Sequence, residues 1–185
     1  MIELENKCIF LQFLKFRKKA LNFLYSRPFV RGLFLSFVLV LTPAGMPDQA
    51  NSSEDEPILF ETSKLTIITE DGQFCFWVEI AQSTAQRQQG LMERLEMPAD
   101  RGMLLDFGSP QLIHMWMKNT YIPLDMLFLD EIGSVTAIAA NTTPLSTTII
   151  PSLSPARAVL ELNGGMVSRL SIKVGDKVLH RIFQH

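Results

Sequence analysis

The stretch SKLTIITEDGQFCFWVEIA, residues 63–81, decides the fold class. Ser63–Thr69 and Gln73–Ala81 are rich in β-branched and aromatic residues and flank Glu70-Asp71-Gly72, whose Asp-Gly pair favours the positive φ angles of a tight hairpin. Under period-two alternation Phe74, Phe76, Val78 and Ile80 share one face of the second run, so that face is expected to be core. Working outward, similar short runs recur at Met103–Phe107, Ile113–Met117, Met126–Asp130, Val135–Ala140, Ala158–Leu162 and Lys177–Phe183, separated by turn residues and without an internal repeat. The pattern predicts a mainly β (α+β) protein, a small β-barrel-like domain with one or two short peripheral helices.

One helix is expected after Ser83, with Gln86 three residues on completing a capping box, and it is expected to run to about Leu95, bent or closely packed at Gly90. A second short helix is expected after Gly164-Gly165, ending before the Val174-Gly175-Asp176 turn.

The chain divides by charge. Residues 1–50 carry seven Lys or Arg against three acids, and residues 51–185 carry ten against sixteen. Basic residues from Lys15 to Arg31 lead into the uncharged run Gly32–Leu41 and then Thr42-Pro43-Ala44, the order of a secretory signal peptide. That run spans ten residues, half of what a membrane-spanning helix needs. The expectation is a signal peptide at 1–44, a flexible acidic linker at 45–57 and one domain at 58–185, exported and periplasmic. Retention at the inner membrane through an uncleaved leader is the alternative. The acidic body would be repelled by phosphate backbones, which argues against a nucleic-acid partner. Its one cysteine, Cys75, rules out a disulfide within the body.

Several segments resemble the bacterial and archaeal domain of unknown function family 192: VEIAQSTAQRQQGLMERLEMPADRGMLLDF at 78–107, HMWMKNTYIPLDMLFLDEIGSVTAI at 114–138, and LELNGG at 160–165 followed by IKVGDKV at 172–178. The resemblance runs from about Leu65 to Phe183, departs at Asp106, where an apolar residue is more usual, and implies a small barrel-like β fold with no established reaction.

The residues themselves name no reaction. His114, His180 and His185 lack metal-ligand spacing, no nucleophile elbow or phosphate loop occurs, and no cofactor or metal is called for. A carboxylate pair drawn from Asp106, Asp125 and Glu161 is one catalytic arrangement the residue types allow. The richer cluster is Trp116-Met117-Lys118-Asn119-Thr120, joined through Ile122-Pro123, which holds the chain extended, to Asp125. The bland reading is a Lys118–Asp125 salt bridge and an Asn-stabilised turn. The functional reading is a pocket for a small polar or anionic ligand: Trp116 as platform, Lys118 as anion partner, and Asn119, Thr120 and Asp125 as hydrogen-bonding groups. Asn163, Gly164 and Gly165 form a second wall, and Arg94 adds an anion contact. An envelope hydrolase or transferase using Asp125 with Lys118 is the enzymatic alternative, and an accessory protein without a small ligand is the third. A flat apolar patch elsewhere would favour that third class.

Overall fold

Thr69 and Gly72 face each other across Glu70-Asp71, and from there β1 (Glu61–Thr69) and β2 (Gly72–Ala81) pair antiparallel to Glu61 opposite Ile80. This is a computed structural model, and it describes residues 57–183. Of the Asp-Gly pair only Gly72 has positive φ, while the Asp71 amide donates to Thr69 Oγ1 at 3.1 Å. Phe76, Val78 and Ile80 are buried on the expected face and Phe74 packs against them.

The remaining elements are α1 (Thr84–Gln89), β3 (Arg101–Gln111), β4 (His114–Met115), β5 (Leu124–Leu129), β6 (Val135–Ala139), β7 (Ile150–Pro151), β8 (Ala156–Asn163), α2 (Met166–Arg169), β9 (Lys177–Leu179) and a 3-10 turn at Arg181–Phe183. Seven strands form one curled sheet in the order β6-β5-β8-β3-β2-β1-β9, and β4 pairs with β7 as a separate ribbon. All neighbours in the large sheet are antiparallel except β2 and β3, which the α1 crossover makes parallel. The outer strands meet: Val178 N–H donates to Gly133 O at 2.8 Å and Val135 N–H to Asp176 O at 2.9 Å, giving the barrel-like form. Gly133 is required at that seam, with φ of 77° and space so tight that a Cβ would lie 2.4 Å from Val178 O.

The central strands of the sheet are buried on both faces. Leu65, Ile67, Phe76, Val78, Leu104, Leu127 and Leu160 fill the inside with Met166 of α2 and Leu170 just beyond it. Met103, Leu105, Leu124, Met126, Phe128 and Val159 lie on the other face, beneath Leu91, Ile113, Met117 and Ile122. All six residues of β5 are therefore buried, as in a strand covered on both sides.

The helix expected to reach Leu95 stops at Gln89. The capping box forms, with Gln86 N–H donating to Ser83 Oγ and Ser83 N–H to Gln86 Oε1, but Gly90 adopts φ of 48° and ends the helix instead of bending it. No residue of α1 is buried, so no apolar face rewards further turns. The strand expected to reach Phe183 ends at Leu179, and a turn closed by Phe183 N–H on His180 O returns Phe183 to the core. His180, just before that turn, is buried.

Candidate functional site

The loop after Met117 begins as a tight turn: Thr120 N–H donates to Met117 O at 3.1 Å, and Asn119 sits at φ of 55°, a left-handed conformation Asn tolerates. Buried Thr120 donates through Oγ1 to Lys118 O at 3.3 Å. Trp116 is 47% exposed, and the Lys118 ammonium stands 5.6 Å from its ring centroid.

Asp125 is elsewhere. It lies opposite Leu162 of β8, on the face of Leu127 and Leu129, and is fully buried. Its Oδ1 accepts the Asn141 amide and its Oδ2 the Val167 amide, both at 2.7 Å. Strand parity thus turns it inward, and the expected facing of Lys118 and Asp125 does not occur. The carboxylate clamps the 140s loop and the first turn of α2.

The second wall is close in space but differently employed. Gly164 N–H donates to Pro123 O at 2.9 Å, and its missing side chain lets Pro123 and Asn141 approach, each of which a Cβ would meet at 3.1 Å. Gly165, at φ of 87°, precedes α2. Asn163 Nδ2 donates to the carbonyls of Met97 and Pro98 at 3.0 and 3.1 Å, pinning the segment between α1 and β3. The same segment meets the Lys118 turn through Glu93 N–H to Asn119 O at 2.8 Å. The backbones of the expected segments therefore converge, while their side chains are mostly committed to holding one another.

The exception is Arg94. Its guanidinium grips Glu79 with two parallel bonds of 2.7 and 2.5 Å and lies 6.0 Å from the Phe60 ring centroid, and the Glu79 carboxylate raises its pKa. This fork walls a cleft of about 80 Å³ lined by Thr62, Trp77, Glu79, Glu96, Arg101 and Gly102, with Met97 and Pro98 at one edge. Trp77 is 44% exposed there. Lys64, Trp77 and Arg101 form one cross-strand row, and Thr62, Glu79, Met103 and Glu161 the next. Glu161 is 4% exposed, its Oε2 has no hydrogen-bond partner among the described residues, and burial pushes its carboxyl up to about 7 against the pull of Arg94. None of Trp77, Glu79, Glu96 and Arg101 was singled out from the sequence. The alternation that placed Phe76 and Val78 inside did send Trp77 and Glu79 to the opposite face, the only available signal.

The three carboxylates considered for catalysis do not gather. Asp106 and Asp125 lie on the inner face, opposite Ala158 and Leu162, four residues or about 13 Å apart along β8, and Glu161 points to the other face. Asp106, at the point of departure from the family pattern, accepts the Gly108 amide and has Arg157 Nε 3.6 Å away. Among the described residues no three His, Cys, Asp or Glu side chains gather as a metal site.

A second surface stands out on the β4–β7 ribbon. His114 faces Pro151 and Met115 faces Ile150, a register that sets Leu112 opposite Leu153 and Trp116 opposite Ile149. Ile113, Met115 and Met117 turn inward, whereas Leu112, His114, Trp116, Ile149, Pro151 and Leu153 are all exposed on the outer face.

A family model described as DUF192, uncharacterized ACR, matches residues 66–180. The chain belongs to the DUF192 family. Among solved structures, a protein from Sinorhizobium meliloti 1021 named as a candidate transcription regulator is 44% identical, with a TM-score of 0.65 over 66% of this chain and 96% of that one. A protein of unknown function from Novosphingobium aromaticivorans is 39% identical, with a TM-score of 0.63 over 64% of this chain and 85% of that one. A comparison with curated proteins finds no match. Both structures share the fold described above.

Proposed function

We propose that this DUF192 domain is an exported module that binds a small polar ligand, and that its site is the cleft beside Arg94 rather than the Lys118–Asp125 loop. The supporting observation is the exposed indole of Trp77, set in a concavity between the fixed Arg94–Glu79 fork and Arg101. A half-exposed aromatic face beside oriented charges is a stacking platform with hydrogen-bonding groups around it. The fork and the Asn163 latch hold those groups in place before a ligand arrives, so little entropy is lost on binding. Ligand pockets commonly measure roughly 300–1,000 Å³. A cleft of about 80 Å³ suits a very small molecule or one end of a larger one. Export rests on the leader at 1–44, which lies outside the described residues, as does all of the linker at 45–57 but Pro57.

A thermal-shift screen of small sugars, amino acids, amines and organic anions tests the site. Trp77→Ala and Arg101→Ala should leave the unliganded melting temperature nearly unchanged and abolish the ligand-dependent rise. A stabilising compound whose effect survives both substitutions places its site elsewhere. For export, an intact Met1 on soluble protein recovered from the cytoplasm would refute the reading.

The outer face of the β4–β7 ribbon favours a second reading, an accessory protein that docks a partner there, since contiguous exposed apolar groups mark interaction surfaces. Substituting Trp116 and Leu153 by Ser would then abolish partner capture while leaving the cleft's ligand response intact. The Asp125–Lys118 hydrolase reading loses its geometry, because Asp125 is fully buried with both oxygens occupied. The name carried by the Sinorhizobium protein gives this domain no nucleic-acid role, since its acidic balance opposes a phosphate backbone.

A further inference from the structure

Four of the residues lining the cleft are charged: Glu79, Arg94, Glu96 and Arg101. Two of them neutralise each other. Arg94 holds Glu79 through both terminal nitrogens, at 2.7 and 2.5 Å, so neither offers a charge to a ligand unless that fork breaks. Glu96 and Arg101 stand differently. Among the described residues the Glu96 side chain has no ion pair or hydrogen bond, and that of Arg101 has only Asp100 Oδ1 at 3.9 Å from its Nε. The Arg101 and Asp100 side chains are 47% and 42% exposed, and an ion pair so long and so open to water contributes little. The cleft therefore presents one uncommitted cation and one uncommitted anion beside the exposed indole of Trp77.

The backbone fixes where these groups stand. Arg101 opens β3 opposite Trp77 of β2, so the two side chains leave the same face of neighbouring strands, roughly 4.8 Å apart. Glu96 comes from the segment between α1 and β3, with Met97 and Pro98. Four hydrogen bonds anchor the stretch that separates Glu96 from Arg101. Asn163 Nδ2 donates to the carbonyls of Met97 and Pro98, Arg101 N–H to Pro98 O and Trp77 N–H to Asp100 O, the last two at 3.0 Å. The chain that carries both charges is thus held before a ligand arrives, which lowers the ordering cost of binding.

A ligand of one sign matches this arrangement poorly. An anion on Arg101 lies in the field of Glu96, and a cation on Glu96 lies in the field of Arg101, and like charges brought together oppose binding. A molecule that carries both signs satisfies both.

We propose that the cleft takes the zwitterionic head of a free amino acid, its carboxylate on Arg101 and its ammonium on Glu96 and the face of the Trp77 ring. This rests on the cleft being the binding site, and it names the class of ligand. A guanidinium offers a carboxylate two parallel hydrogen bonds, and an ammonium over an indole gains a cation–π contact. The volume agrees: two charged groups on a single carbon fit a cleft of about 80 Å³, with the side chain of the amino acid left outside. Recognition is then of the head shared by all amino acids, with little choice among their side chains.

The test is calorimetry on the full chain with glycine and alanine, set against the same frame lacking one charge. Glycinamide keeps the ammonium, N-acetylglycine keeps the carboxylate, and glycerol and glucose carry neither. Glycine and alanine are expected to bind at least about tenfold more tightly than glycinamide or N-acetylglycine, each of which lacks one charge-assisted contact. Arg101→Gln is expected to remove the advantage of glycine over glycinamide, and Glu96→Gln its advantage over N-acetylglycine. Both side chains are exposed, so both variants should melt near the parent temperature. Glycinamide or N-acetylglycine binding as tightly as glycine overturns the proposal, because one charge then suffices. Amino-acid binding that both substitutions leave intact also overturns it. Binding of any of the other four probes that Trp77→Ala abolishes, with glycine and alanine silent, overturns it and leaves the cleft reading standing. Silence from every probe, here and in the thermal-shift screen, overturns both.

Discussion

Asp125 separates a structural from a ligand-binding role most sharply. Its two carboxylate oxygens each accept one backbone amide at 2.7 Å, from Asn141 and from Val167, and the side chain has no solvent exposure. Hydrogen bonds to a charged acceptor contribute about 1.5–3 kcal/mol each, and a buried donor left without a partner costs about 1–3 kcal/mol. Asp125→Ala orphans both amides, but both sites are only part-buried, so water recovers some of the loss, and relief from burying a carboxylate offsets more. A net destabilisation of about 3 kcal/mol is expected. Asp125→Asn keeps one acceptor and turns an amide NH₂ toward the other donor, for about 2 kcal/mol. Urea unfolding followed by fluorescence reads these directly, with the midpoint of Asp125→Ala falling by roughly 1–3 M at an ordinary m value. Lys118→Ala in the same assay is expected to cost less than about 1 kcal/mol, because its ammonium only overlies an exposed Trp116. If Asp125→Ala unfolds within about 0.5 kcal/mol of the parent, the clamp is not what holds the 140s loop and α2 together, and the reasoning fails.

Gly133→Ala places a side chain at φ of 77° and 2.4 Å from Val178 O, so it should destabilise by on the order of 3 kcal/mol and open the seam to hydrogen exchange; an unchanged exchange rate at Val178 would contradict this. Asn163→Ala removes both bonds to the Met97 and Pro98 carbonyls, for about 1–2 kcal/mol, and limited proteolysis should then cut near Met97 where the parent resists. Glu161 has a raised pKa in the folded state, so the fold binds the extra proton and loses stability as pH rises from the unfolded value of ~4.3 to about 7, with a total loss of about 3 kcal/mol. His180 acts oppositely: burial lowers its pKa, so acidification below the unfolded value of ~6.5 destabilises the fold. Subtracting the Glu161→Gln profile from that of the parent isolates the first effect, and a flat difference between pH 4.5 and 7.5 would show that Glu161 is ionised throughout.

The hairpin and its inner face were legible because Phe74, Phe76, Val78 and Ile80 alternate against one covered surface. Strand ends were less so: β3 continues to Gln111 and β8 begins at Ala156 because each extends the other's ladder, a reason that lies in the partner and not in the local composition. The β4–β7 ribbon was half visible. Ile113–Met117 alternates visibly, but Ile150-Pro151 is too short to signal a strand until His114 and Met115 pair with it. Gly90 was read as a flaw inside a helix and is its end, since the residues beyond it serve the cleft instead of a helical apolar stripe.

The site was harder to read for a reason that β-sheets make general. Lys118 and Asp125 are seven residues apart, and sequence proximity suggested contact, yet the loop carries Lys118 to the surface while the first residues of β5 turn Asp125 inward. Arg94 and Glu79 are fifteen residues apart on different elements, and nothing in either neighbourhood announces the other. Glu161 misleads most. In Leu160-Glu161-Leu162 the alternation assigns the Glu to solvent, and it would be there if the sheet had one bare face. The segment between α1 and β3 covers that face, so Glu161 is enclosed with an unsatisfied oxygen beside Arg94. A polar residue at an outward position becomes informative only once the cover is known, and here the cover is latched by Asn163, two residues along the same strand. The Asn163 expected to wall a pocket instead fixes the lid of the neighbouring one.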